Sequence, residues 1–146
     1  MAENEKKAAN LIESLDGFFK QAPKLPSSAT DVLVKIAPWI SLIFGILGVL
    51  AGLSLLGLSP VAMLGGINYG FNALATGVIS IVASVLMLMA YPKLVKREYK
   101  GWELLFWSEV ANAVAAVISI ASGSIGGVIG VLIGLYLLFQ IKSYYK

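Results

Sequence analysis

The sequence predicts an all-α, polytopic integral membrane protein, in which an amphipathic helix precedes an antiparallel bundle of four transmembrane helices. Composition is the first reason: of 146 residues, 58% are hydrophobic and only 13% are charged, whereas soluble domains carry about 25% charged residues. The second reason is that the apolar residues fall into four runs. Each run is close to the roughly 20 residues that a helix needs to cross the hydrocarbon core of a bilayer.

The positions of the cationic residues predict how these runs are oriented. The eleven cations precede the first run, separate the second from the third, or follow the fourth: Lys6, Lys7, Lys20, Lys24, Lys35, Lys93, Lys96, Arg97, Lys100, Lys142 and Lys146. The other two connections carry no charge. Because Lys and Arg are retained in cytoplasmic loops, this positive-inside pattern predicts that both termini are cytoplasmic. The short length and the absence of a targeting segment favour a location in the cell inner (plasma) membrane.

Residues 1–30 are predicted to form a cytoplasmic amphipathic helix followed by a proline-containing linker. One stripe at helical spacing carries the apolar side chains: Ala8, Leu11, Ile12, Leu15, Phe18 and Phe19. Pro23 and Pro26 then push the chain out of the helical conformation. Three interpretations of this segment stay open. It is an interfacial helix that frames the first span, a docking helix for a cytoplasmic partner or a neighbouring copy, or a disordered segment.

Residues 31–146 are predicted to contain the four spans, at about 36–58, 70–91, 102–122 and 125–141. Pro92 is expected to end the second span, because proline cannot continue the helical hydrogen bonds. The connection from Ser59 to Tyr69 is expected to lie in the outer interface. At the other face, aromatic residues at the start of the third span predict an interfacial belt, formed by Trp102, Phe106 and Trp107.

Small residues at regular spacing predict how the spans pack. In lipid, apolar side chains gain little from meeting one another, so helices associate through close backbone contact and hydrogen bonds. Glycines recur every three or four residues in the first and fourth spans, a pattern typical of a glycine zipper: Gly45, Gly48, Gly52, Gly126, Gly130 and Gly134. These six residues are the predicted helix-packing positions of a tight bundle.

Glu109 is the acidic residue placed deepest in the predicted spans. A carboxylate at the centre of a span costs about 2.5–3.5 kcal/mol on insertion scales, so such residues face the bundle interior and need partners. Asn112 lies one turn further along the same helical face. Ser84 and Tyr136 fall at a similar depth in the second and fourth spans, and a neutral Glu109 could bond to either. These four residues form the candidate intramembrane polar site.

Glu109 has two interpretations. It is a proton- or cation-binding carboxyl group in a transport path, or it tilts toward cytoplasmic water and pairs with Lys100 or with Arg97 of a neighbouring copy. The sequence contains few residues suited to catalysis or to metal and cofactor binding. The chain has no Cys and no His, which removes thiolate and imidazole metal ligands and the common nucleophile–base pairs. No glycine-rich phosphate loop is present. We therefore expect no enzyme activity, no cofactor and no metal.

The sequence favours a small integral membrane protein with a structural or accessory role, packed as a compact four-helix unit in a larger or homo-oligomeric membrane assembly. Its expected partners are the lipid bilayer and either a second copy or another membrane protein. Nucleic acid is not expected, because the net charge of +3 is explained by loops that face anionic headgroups. The alternative is a small proton- or cation-coupled transporter or channel that works as an oligomer through Glu109 and Asn112.

Overall fold

A computed structural model describes residues 2–120 and 123–146 of the chain, which fold into five α-helices and one short 3-10 turn. The helices are α1 (Ala2–Phe19), α2 (Ser27–Met63), α3 (Ile67–Val95), α4 (Tyr99–Ile120) and α5 (Gly126–Ile141), and the 3-10 turn is Lys142–Tyr144. The prediction of an all-helical chain is confirmed. Four helices, α2 to α5 with the 3-10 turn included in the last, are long and apolar enough to cross a membrane.

Helices that follow one another in the chain pack side by side, α2 on α3, α3 on α4 and α4 on α5. The α2–α3 pair runs antiparallel, since Gly45 lies against Leu88 whereas Gly52 lies against Ile81. This arrangement brings the α3–α4 connection and the chain's last residue together, where the Tyr99 amide donates to the backbone oxygen of Lys146 at 2.9 Å. We call this end, which also holds α1, the charged end, and the opposite end the uncharged end.

α2 is longer than the predicted span 36–58, with 37 residues and a length of about 55 Å at 1.5 Å per residue. The helix continues through Pro60, although proline lacks the amide that would bond to the carbonyl of Leu56. The hydroxyl of Ser59 donates to that oxygen at 2.8 Å instead. The predicted connection 59–69 is therefore reduced to residues 64–66, where Gly66 has a φ of 135° that side-chain-bearing residues rarely adopt.

The prediction that Pro92 ends the second span is wrong, because α3 continues to Val95. Ala90 and Leu94, on either side of Pro92, are fully buried against neighbouring helices, and such tertiary packing holds the last turn in place. The helices α4 and α5 agree with the predicted spans 102–122 and 125–141 to within a few residues. Residues 121 and 122, the predicted end of the third span, lie outside the described part of the chain.

α1 packs on its own chain at the charged end. Phe19 stacks on Phe139 of α5 with ring centroids 5.1 Å apart, and Ile12 joins the same buried cluster. Trp102 and Phe106 lie at the centre of this cluster with no solvent exposure. These two rings are therefore core and not part of an exposed belt, because they pack inside the protein against Phe139 of α5.

A carboxylate on the edge of this contact joins α1 to the end of α5. Asp16 lies 2.8 Å from the ammonium of Lys20 and 3.5 Å from that of Lys142. Burial by itself raises the pKa of Asp16, but the hydrogen bonds and positive charges of Lys20 and Lys142 outweigh burial and lower the pKa below its ordinary value. A lowered pKa in the folded state means that the ionised carboxylate stabilises the docking of α1.

We expect Asp16→Asn to loosen α1 at neutral pH, with hydrogen-exchange protection of α1 amides falling by about two- to fivefold, since partly solvated ion pairs are screened. The contribution of Asp16 is present above the ordinary Asp pKa and is lost as the pH falls through the lower folded pKa. Wild type and variant should therefore converge once the pH is below the lowered pKa of Asp16. Glu3→Gln, which removes an exposed pair with Lys7, is the control. Equal protection in both variants at neutral pH would contradict this role.

Candidate functional site

Glu109 projects from the middle of α4 toward α5, where its carboxyl group lies directly on Gly134. A Cβ atom at position 134 would stand 2.9 Å from Glu109 Cδ and 2.9 and 3.0 Å from the two carboxyl oxygens. Any other residue at this position would push the carboxyl group away. Gly134, which the sequence marked as a helix-packing residue, therefore makes room for a functional side chain.

On the side of Glu109 toward the uncharged end, α3, α4 and α5 enclose an open groove of about 360 Å³, which we call the polar groove. Asn112 lines it together with Glu109, so the predicted neighbourhood of these two side chains agrees with the structure. The remaining lining residues are small or polar, apart from one valine: Thr76, Ser80, Ala115, Ala116, Ser119, Gly127, Gly130 and Val131.

On the side toward the charged end lies a second space of about 140 Å³, which we call the apolar cavity. Its lining comes from all four long helices: Leu33, Ala37, Ile40, Ser41, Met87, Leu105, Glu109, Gly134, Leu137, Leu138 and Ile141. Among the described residues, Glu109 alone is common to the linings of the polar groove and the apolar cavity. Its carboxyl group thus lies where an apolar space and a polar space meet.

Neither Glu109 nor Asn112 has a hydrogen bond or an ion pair with any residue in the described ranges 2–120 and 123–146. Lys100, the cation proposed from the sequence as a partner, lies 3.4 Å from Glu103 instead. A carboxyl group and an amide are thus left without partners on a helix that is long and apolar enough to cross a membrane. Unpaired polar groups in such a place are costly and mark sites where a ligand or another helix binds.

Ser84 and Tyr136 were the candidate partners to which a neutral Glu109 could donate, and neither is bonded to Glu109 in the structure. The hydroxyl of Ser84 donates to the carbonyl of Ser80 at 2.6 Å, at the contact with Gly48 on α2. The hydroxyl of Tyr136 donates to the carbonyl of Pro23 at 2.6 Å, in the linker after α1. Both residues lie near the predicted depth, but their helices are rotated so that these hydroxyls find other acceptors.

The predicted packing glycines divide into two groups. Gly45, Gly48 and Gly52 lie in the α2–α3 contact. There the sequence analysis missed Gly77, which faces Gly52: a Cβ at either position would stand 2.9–3.0 Å from the backbone oxygen of the other. By contrast, no described atom lies within 4 Å of a Cβ placed at Gly126 or Gly130. These two glycines of α5 pack against nothing in the described chain, and Gly130 lines the polar groove.

Comparison with protein-family models, with curated proteins and with solved structures finds no match. Within the described residues, no three side chains from His, Cys, Asp and Glu come together in a way that could hold a metal ion. What the site can do therefore follows from its own geometry. It offers one carboxyl group and one amide, an apolar cavity on one side and an open polar groove on the other.

Proposed function

We propose that this protein is a multi-pass protein of the cell inner membrane that serves as a four-helix unit in a larger or homo-oligomeric membrane assembly. Four helices long and apolar enough to cross a bilayer support the membrane location. The gathering of the Lys and Arg residues at one end of these helices supports cytoplasmic termini, because positive loops stay inside. In this proposal the uncharged end, with the connection 64–66, faces the opposite side.

The observation that carries the assembly role is the open polar groove. Within lipid, the unpartnered Glu109 and Asn112 are expensive, and the exposed Gly126 and Gly130 leave backbone accessible for a close helix contact. A transmembrane helix from a second copy or from another membrane protein would cover these glycines and supply hydrogen bonds to the Asn112 amide, and the Glu109 carboxyl group would stay accessible from the apolar cavity. In this proposal, the polar groove is the face of one copy that lacks a packing partner until a further helix binds.

Gly130→Leu tests this role, because a leucine side chain would occupy the polar groove. Gly57→Leu is the matched control: Gly57 is an exposed glycine of α2 with no described atom within 4 Å of an added Cβ. In mild detergent, we expect the wild type and Gly57→Leu to be oligomeric or bound to another membrane protein. Gly130→Leu should weaken that association by about tenfold or more, equivalent to about 1.4 kcal/mol. A monomeric wild type without a partner, or equal behaviour of both variants, would refute the proposal.

A second candidate function is proton- or cation-coupled transport through Glu109 and Asn112, working as an oligomer. It is favoured by the position of the Glu109 carboxyl group between the apolar cavity and the polar groove. An ion that moves between these two spaces passes a single ionisable group, which is how intramembrane carboxylates take part in transport paths.

Glu109→Gln tests the transport candidate, since it keeps the size and hydrogen-bonding capacity of the side chain but removes the ionisable group. In vesicles that contain the purified protein and a pH-sensitive dye, we expect the variant to lower proton flux by about a hundredfold, as for loss of a proton-transfer group. Glu103→Gln, a change in a solvent-accessible carboxylate paired with Lys100, should leave flux unchanged. Undiminished flux in Glu109→Gln would exclude Glu109 as the coupling group.

A further inference from the structure

We infer that the apolar cavity and the Glu109 carboxylate together form a binding site for a monovalent organic cation: an ammonium group attached to an apolar body about the size of one aromatic ring. This inference goes beyond the assembly role, because binding of such a ligand requires neither a second copy nor flux. It also names a ligand class for the transport candidate, and its test is independent of both functions.

The lining of the apolar cavity selects a hydrocarbon body. Apart from Glu109, the only side chain with a polar oxygen or nitrogen in the lining belongs to Ser41. The Ser41 hydroxyl already donates to the backbone carbonyl of Met87, so it has no need of a ligand. The volume of about 140 Å³ is close to the roughly 150 Å³ cavity that accepts benzene in an engineered protein.

The charge at the cavity selects a cation. The Glu109 carboxyl group is held at the cavity wall by its contact with Gly134 and has no hydrogen bond or salt bridge with a described residue. An ammonium group would supply both a counter-charge and hydrogen-bond donors, and a charge-assisted hydrogen bond is roughly twice as strong as a neutral one. A neutral ligand would leave the carboxylate unpaired, and an anion would be repelled.

Two other cations fit the site less well. A divalent metal ion takes at least four protein or water ligands, and Ca²⁺ and Mg²⁺ take six or more oxygens, whereas the apolar cavity offers one carboxyl group among hydrocarbon side chains. No Lys or Arg of the described residues forms a salt bridge with Glu109. Lys142, which follows the lining residue Ile141, pairs with Asp16 instead. The ligand that matches both the cavity and the charge is therefore an amine with an apolar group.

The test is calorimetric titration of the purified protein in mild detergent with benzylammonium and with benzyl alcohol, its neutral analogue of similar size. We expect the wild type to bind benzylammonium at least about tenfold more tightly than benzyl alcohol. Glu109→Gln should abolish this preference, while Glu103→Gln, the matched change at a carboxylate outside the cavity, should retain it. Benzylammonium binding that is unaffected in Glu109→Gln, or equal affinity of the wild type for both compounds, would overturn the inference.

A second variant keeps the test decisive if Glu109→Gln fails to fold. Ala37→Leu adds three carbon atoms to a side chain that lines the apolar cavity and leaves the carboxylate in place. Ala37→Leu should weaken the binding of benzylammonium by about tenfold or more, because the leucine side chain fills the space for the aromatic ring. If Ala37→Leu bound benzylammonium with unchanged affinity, the cation would bind outside the apolar cavity and the inference would be wrong. Oligomeric state and proton flux are read in separate experiments, so failure of this site and failure of either proposed function can be told apart.

Discussion

Replacement of Trp102 by alanine is expected to lower the free energy of unfolding by about 3–5 kcal/mol, the range for removal of a large buried aromatic side chain. The Trp102 side chain is fully buried. Its ring lies 5.8 Å from that of Phe106 and 5.5 Å from that of Phe139, and its indole nitrogen donates to the carbonyl of Leu138 at 2.8 Å. The substitution would therefore remove ring contacts and a buried hydrogen bond at once.

The measurement is unfolding in mixed micelles followed by near-ultraviolet circular dichroism, with Trp39→Ala as the control. Trp39 is 58% exposed, so its loss should cost about 1 kcal/mol or less, as is usual away from the core. Trp102→Ala should also make α1 more accessible to protease, because Phe19 of α1 stacks on Phe139, whose ring in turn packs against Trp102. If the two variants lost equal amounts of unfolding free energy, Trp102 would not be the centre of the core.

Substitution of Gly52 by leucine is expected to lower the free energy of unfolding by about 2–3 kcal/mol, through overpacking of the α2–α3 contact. A Cβ at Gly52 would lie 2.9 Å from the carbonyl oxygen of Gly77 and 2.6 Å from Ile81 Cγ1. The carbonyl belongs to helix backbone and cannot rotate away as the end of a side chain can. The two helices would have to separate, and the close contact that holds them would be lost.

Gly57→Leu again provides the matched control, because it introduces the same side chain into the same helix at a position with open space. It should be neutral or slightly stabilising, since leucine favours a helix over glycine by up to about 1 kcal/mol. Both variants are compared with the wild type by the detergent unfolding used for Trp102. If Gly52→Leu lowered the free energy of unfolding no more than Gly57→Leu, the α2–α3 contact would accommodate the larger side chain without cost, and the prediction would be wrong.

The helices could be predicted from the sequence because long apolar runs require backbone hydrogen bonds to be satisfied within the chain itself. The prolines were harder to interpret. Pro60 alone predicts a helix end, and only the structure reveals that the hydroxyl of Ser59 replaces the missing bond to Leu56. Similarly, the apolar stripe of α1 predicts that this face is buried. The stripe alone does not determine whether the face is buried in lipid, against a partner protein or in the core of the same chain.

The candidate site was predictable in part. Glu109 and Asn112 share a helix face by their spacing of three residues, and the structure places both in one groove. Ser84 and Tyr136 were assigned by depth alone. Depth follows from counting residues along a helix, but the direction of a side chain depends on the rotation of that helix against its neighbours. The rotation of one helix against another cannot be obtained by counting residues along a single helix.

The sequence by itself determined the helical class, the four long apolar segments, the segregation of charge and the isolation of Glu109 among apolar residues. Each of these depends on local composition and on the transfer of side chains from water, which are properties of short segments. Only the tertiary structure decided that Phe19 and Trp102 both pack against Phe139, that Gly134 makes room for a carboxyl group, and that Glu109 lies between an apolar cavity and a polar groove. These features arise where helices distant in sequence meet, and their relative rotation is set by packing of the whole chain.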